Sequence, residues 1–143
     1  ARVPHGILIS SHVEKAEDHV AGKLACQPGT KLWRLETLYS ADERPISTAS
    51  MWFMYAGLAR LPADFKKTGS LTQALRLSGI EVYLRDQTEI SARHPIQSEA
   101  GRLQVASDSV VLVTDYVSRV SDRTPLQYAK TRFAAERVRL IAG

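Results

Sequence analysis

Lys31-Leu32-Trp33-Arg34-Leu35-Glu36-Thr37-Leu38-Tyr39, then Ser40-Ala41-Asp42-Glu43-Arg44-Pro45, then Ile46-Ser47-Thr48-Ala49-Ser50-Met51-Trp52-Phe53 is the stretch that decides the fold. Two runs rich in strand-forming residues, joined by a short polar segment with Asp and Pro, read as a β-hairpin, and a hairpin pairs antiparallel. The pattern returns near the end of the chain. There Ser109–Val120 and Leu126–Phe133 flank Ser121-Asp122-Arg123-Thr124-Pro125.

Outward from the first hairpin, Val13, Ala16, Val20 and Leu24 mark one face of a helix over Val13–Ala25, which Gln27-Pro28-Gly29 stops. Residues 1–12, with Pro4 and Gly6, read as an extended lead-in, and 13–143 as the domain proper. A short irregular helix is expected around Ala56–Leu61. Gly69-Ser70-Leu71 opens another helix, with Ser70 as its N-cap and Leu71, Ala74, Leu75 and Leu77 as its apolar side. After Ser78-Gly79 the period becomes two, through Ile80, Val82 and Leu84 and then Thr88, Ile90 and Ala92. This predicts a long strand with an irregularity near Asp86. Ser98–Leu103 reads as a short helix. Hairpins interspersed with helices imply an α+β domain: a central, mostly antiparallel sheet flanked by helices.

Composition narrows the class of function. With 143 residues, 44% hydrophobic and 24% charged, the chain suits one globular core. Its apolar runs are strand-sized, far short of the roughly 20 residues a membrane helix needs, so no membrane partner is expected. The single cysteine, Cys26, reads as a half-buried side chain at a helix end, which fits a cytoplasmic location. A net charge of +4 favours acidic partners in general, but the basic residues are dispersed and do not form a nucleic-acid stripe.

Known catalytic signatures are missing. There is no GxSxG elbow, HExxH, P-loop or GxGxxG, and His5, His12, His19 and His94 do not form a ligand cluster. No cofactor, metal or catalytic residue is expected. The more specific feature is Arg85-Asp86-Gln87-Thr88-Glu89-Ile90-Ser91-Ala92-Arg93. It places two arginines, hydroxyls and an amide on an extended segment, and arginine's planar fork suits phosphate or carboxylate. The same residues also suit a solvent-facing sheet surface with weak ion pairs. The Ser70 helix start offers free amides, serving either a cap or an anion. Because that helix runs directly into the strand carrying Arg85, an anion pocket drawing on both is an expectation to test. Trp33 and Trp52 are expected as core aromatics, and Arg34, Glu36 and Tyr39 as a polar strand face.

The ordered landmarks resemble a known family. They are Leu32-Trp33-Arg34-Leu35 leading to Ala41–Pro45, then Gly69-Ser70-Leu71, then Arg85–Arg93, then Thr124-Pro125-Leu126-Gln127-Tyr128 with Thr131-Arg132-Phe133. Together they resemble the UTRA domain, the effector-binding half of HutC-type regulators in the GntR superfamily. Tyr83-Leu84-Arg85, Thr88, Ser91-Ala92-Arg93 and Arg132–Val138 resemble the phosphonate-utilisation regulators of the PhnF type. The resemblance implies a chorismate lyase-like fold and a homodimer. It also implies a small anionic effector and operator DNA held by a winged helix-turn-helix ahead of this segment. The effector contacts it implies are Ser70, Arg85, Thr88, Ser91 and Arg93, with Arg34, Tyr128 and Arg132 in support. Glu36, where the family often has a second arginine, and Ala49, near a common glutamate, depart from its sugar-phosphate pattern. Two other readings share the fold: a chorismate lyase-like enzyme, and a dimerisation module without a ligand.

Overall fold

The hairpin forms as read. β2 (Lys31–Ala41) and β3 (Arg44–Met54) pair antiparallel around Asp42 and Glu43, whose φ angles are 52° and 63°. Two consecutive left-handed residues twist the chain in the sense that a tight hairpin needs. The structure is a computed structural model that describes residues 4–81 and 83–141. Ala1–Val3 of the expected lead-in and Val82 of the expected long strand lie outside the described residues.

The element order is β1 (Pro4–Lys15), α1 (Asp18–Leu24), β2, β3, α2 (Leu61–Thr68), α3 (Leu71–Leu77), β4 (Tyr83–Arg85), β5 (Glu89–Arg93), α4 (Gln97–Leu103), β6 (Val111–Val120) and β7 (Pro125–Ala134). The seven strands form one sheet in the order β1-β2-β3-β7-β6-β4, with β5 also on β6, and every pairing is antiparallel. β4 and β5 therefore share one edge of the sheet, interrupted at residues 86–88, where the Asp86 N–H donates to Val117 O. The irregularity expected near Asp86 is this break. The fold is the expected α+β sheet flanked by helices.

Four expectations need correction. The helix expected over Val13–Ala25 begins only at Asp18: β-branched Val13 pairs with Trp33, and the strand runs on to Lys15. The extended segment 4–12 is part of β1, so a boundary after residue 12 falls inside a strand of the sheet. The helix expected around Ala56–Leu61 forms later, as α2, with Pro62 in its first turn and Gly69 ending it at φ 68°. Proline suits a first turn, where its missing N–H costs no bond. Leu77, expected on the apolar side of α3, is 63% exposed, whereas Ala74 and Leu75 are buried in the core and Leu71 packs against it.

The helices divide between the two faces of the sheet. On one face α2 and α3 pack Leu61, Phe65, Ala74 and Leu75 onto Leu35, Met51, Phe53 and Ala129. On the other, α1 sets Val20, Ala21 and Leu24 against Leu32, Trp52 and Tyr128, while α4 sets Leu103 against Val111 and Val113. Burying each such side chain contributes about 1.5–3 kcal/mol, which fixes the helices to their faces.

Candidate functional site

Register assigns the strand side chains to faces, because directly paired residues of an antiparallel ladder point the same way. On the α1/α4 face, Glu36, Ser50, Lys130, Asp115 and Glu89 are successive partners across the sheet. Arg34, Trp52, Tyr128 and Val117 form the row on one side of them, and Thr48, Arg132, Val113 and Ser91 the row on the other. Of the eight expected contacts, Arg34, Ser91, Arg93, Tyr128 and Arg132 thus face this side. Arg85 pairs with Ser118 on the opposite face and lies over the Tyr116 ring at 3.7 Å. Ser70 begins α3 on that opposite face, and its hydroxyl accepts from the Gln73 N–H at 3.2 Å. Thr88 lies in the break between β4 and β5. The sheet separates the eight into two groups.

The α1/α4 group is an ion network. Arg93 grips Glu99 with both terminal nitrogens, at 2.6 and 2.9 Å, and the Ile96 N–H donates to the same carboxylate at 3.0 Å. Arg132 Nε lies 2.8 Å from Glu99, as an ion contact without hydrogen-bond alignment, and its Nη1 donates to Ser50 at 3.1 Å and to Lys130 O at 2.8 Å. Glu36 accepts from Arg102 at 2.7 Å, from Ser50 at 3.0 Å and from Arg34 at 3.1 Å. Burial pushes the Glu99 pKa up, but hydrogen bonds from Arg93 and Ile96, with the charges of Arg132 and Arg93, outweigh it and bring it down to about 2. Glu36 is lowered in the same way: burial opposes, and Arg102, Ser50 and Arg34 prevail. Carboxylates already occupy the forks of Arg34, Arg93, Arg102 and Arg132. An incoming anion would have to displace one of them.

Glu99 and Arg102, which complete the network, do carry a signal in the sequence. The segment Gln97-Ser98-Glu99-Ala100-Gly101-Arg102-Leu103 places Glu99 and Arg102 three apart on one helix, hence on one side of it. Next to the network, the Tyr128 hydroxyl donates to Asp115 at 2.9 Å and meets His19 at 3.2 Å, and its ring stacks on Trp52. Burial, and then Asp115 and Glu89, raise the Tyr128 pKa. This ring is therefore a neutral, buried packing group.

The α2/α3 face differs. Its helices cover the end at Leu35, Met51, Phe53 and Ala129. Beyond them the sheet presents two further rows: Thr37, Ala49, Thr131, Thr114 and Ile90, then Tyr39, Ser47, Phe133, Leu112 and Ala92. Much of this half is recessed, with Ser47 and Thr114 buried and Thr37, Ala49, Leu112, Thr131 and Phe133 half-buried. A cavity of about 280 Å³ lined by Ile7, Leu8, Phe65, Lys66 and Gly69 opens where β1 meets the α2–α3 junction. Leu8 pairs with Thr37, and Gly69 precedes Ser70, so this cavity adjoins both the open half-sheet and the helix start.

Comparison with known proteins places this arrangement. The family model described as the UTRA domain matches residues 1–139. An uncharacterized HTH-type transcriptional regulator of Rhizobium meliloti (strain 1021) is 37% identical over 125 residues, which is 87% of this chain and 51% of that protein. The chain thus spans about half the length of this relative. The crystal structure of PhnF from Mycobacterium smegmatis superposes with a TM-score of 0.91 at 20% identity, over 99% of this chain and 63% of that one. The ligand-binding domain of a regulator assigned to the GntR family in Bordetella bronchiseptica superposes with a TM-score of 0.89 at 14% identity, over 99% and 90%. At these identities the structures speak for the fold, while the family match covers nearly the whole chain. The chain belongs to the UTRA domain family.

Proposed function

We propose that this chain is the effector-sensing domain of a GntR-family transcription regulator, of the HutC branch, and not an enzyme. The observation that carries the reading is the UTRA match over residues 1–139, alongside a relative described as an HTH-type regulator of which this chain covers only half. In this reading a winged helix-turn-helix elsewhere in the same protein holds operator DNA. The protein acts in the cytoplasm as a homodimer, as a repressor. The effector biases DNA affinity only if it binds one arrangement of the dimer better than another, since equal affinity shifts nothing.

The open half of the α2/α3 face is the proposed effector floor, with Ser70 at its margin. An anionic effector such as phosphate or a phosphonate, in keeping with control of phosphonate-utilisation genes, would draw chiefly on Arg85. Arg34, Arg93 and Arg132 are held by Glu36 and Glu99, whereas Arg85 lies over Tyr116 with no carboxylate partner among the described residues. Electrophoretic mobility shift of the complete gene product on the DNA upstream of its own gene tests the reading. A retarded complex is expected, and its absence at micromolar protein would overturn the proposal. Turnover of chorismate by the purified chain would favour the enzyme reading instead.

A further inference from the structure

We infer that the effector floor takes a small uncharged molecule rich in hydroxyl groups, an unphosphorylated sugar or polyol, an inference that rests on the sensor reading above. Three observations on the open half of the α2/α3 face converge. First, none of its ten residues in the two outer rows is charged, although 24% of the whole chain is. A solvated sheet face normally carries charge, so an uncharged recessed one marks a binding surface. Second, the hydroxyls of Thr37, Ser47, Thr114 and Thr131 rise from neighbouring positions on β2, β3, β6 and β7, and none of them hydrogen-bonds to another described residue. Hydroxyls in this state, two buried and two half-buried, are donors and acceptors waiting for a partner. Third, the Phe133 ring, half-buried, and the Tyr39 ring, 42% exposed, stand in the outermost row beside them. Aromatic rings next to a hydroxyl cluster match a molecule with one C–H face and several O–H groups.

Charge selects against the phosphorylated forms of the same molecules. The two open rows carry no cation of their own; Lys66, at the cavity beside Leu8 and Phe65, and Arg85, over the Tyr116 ring, stand at the margin of the floor and not on it. Arg85 is rooted in the row of Ser118, and its guanidinium reaches the Tyr116 ring, in the row next to the open ones. The forks of Arg34, Arg93 and Arg132 lie on the other side of the sheet, closed by Glu36 and Glu99. Desolvating an unpaired anion is costly. The pattern of exposure also favours a small molecule over a protein partner: the hydroxyl-bearing residues are buried or half-buried, and the exposed apolar side chains, Tyr39 at 42% and Ile90 at 55%, stand at the β2 and β5 ends of the rows.

The test is isothermal titration calorimetry of the chain with matched pairs: glycerol, ribose, glucose, N-acetylglucosamine and myo-inositol, each against its monophosphate. At least one unphosphorylated compound is expected to bind, with its phosphate at least tenfold weaker. Thr37→Val and Thr131→Val preserve shape and remove one hydroxyl each, and each is expected to weaken that binding about fivefold, the usual net worth of one hydrogen bond. A phosphate that binds more tightly than its parent, with loss on Arg85→Ala, overturns the uncharged class and leaves the sensor reading intact. No binding by any pair at millimolar concentration also overturns the class, while the mobility shift judges the sensor reading separately. Binding that both valine variants leave untouched overturns the floor assignment.

Discussion

Glu99→Gln removes one negative charge from the centre of the α4 network and keeps the side chain's length and its reach to the Ile96 N–H. Glu99 is 3% exposed, and Arg132, one of its partners, is 5% exposed. Breaking such a buried pair costs roughly 3–5 kcal/mol, because the remaining guanidinium stays charged in a poorly solvated place. The titration gives a second route to the magnitude. The Glu99 pKa falls from 4.5 to about 2 on folding, equivalent to about 3 kcal/mol of stability at neutral pH. The Arg93 contribution belongs at the low end, since its side chain is 39% exposed and screened by solvent. We therefore expect Glu99→Gln to cost about 3 kcal/mol at pH 7, about 10 °C in Tm for a domain of this size. The sign of the pH dependence follows from a depressed folded pKa. The stabilisation is complete above 4.5 and disappears as pH falls from 4.5 toward about 2. Urea unfolding followed by circular dichroism at pH 7 and pH 3 reads both effects. The gap between the native chain and the variant should shrink to about half or less at pH 3. A loss under about 1 kcal/mol at pH 7, or a gap equal at the two pH values, would show that the Glu99 charge does not hold α4 in this way.

Two further predictions concern local structure. Ser70→Ala removes the hydroxyl that accepts from Gln73 and should cost about 1 kcal/mol in urea unfolding. Because that hydroxyl caps the helix, binding of an unphosphorylated sugar should change less than in Thr37→Val. Glu43→Gly relieves a residue held at φ 63° in the β2–β3 turn and should stabilise by about 0.5–1 kcal/mol, measured by thermal melting. A loss of stability there would show that the Glu43 side chain contributes more than its backbone conformation costs.

Much of the architecture was legible in local pattern. The two hairpins, the Ser70 cap and the break near Asp86 follow from turn residues and from period two, which are short-range signals. β1 was harder to place, because strand pairing depends on a partner beyond its own segment. Val13, Ala16 and Val20 satisfy a helical spacing, and only pairing of Val13 with Trp33 makes the difference. The candidate site divided along the same line. The arginines at 34, 85, 93 and 132 were visible as residue types suited to an anion, but which face each would take depends on register across six strands. Once register is known, Arg85 stands apart from the other three, and Glu36 and Glu99 become their partners. The open rows carry no motif at all. Thr37, Ser47, Thr114 and Thr131 are unremarkable in sequence and become a cluster only when β2, β3, β6 and β7 are laid side by side.

In the sensor reading proposed above, occupation of the open half-sheet changes how the full-length protein holds DNA. The most direct measurement is the affinity of the complete gene product for its own upstream DNA, by fluorescence anisotropy, titrated with the unphosphorylated compound that calorimetry identifies. A change in DNA affinity of tenfold or more is expected at saturation, with its loss in Thr37→Val/Thr131→Val at the same concentration. DNA affinity that stays the same when the domain is saturated would contradict it.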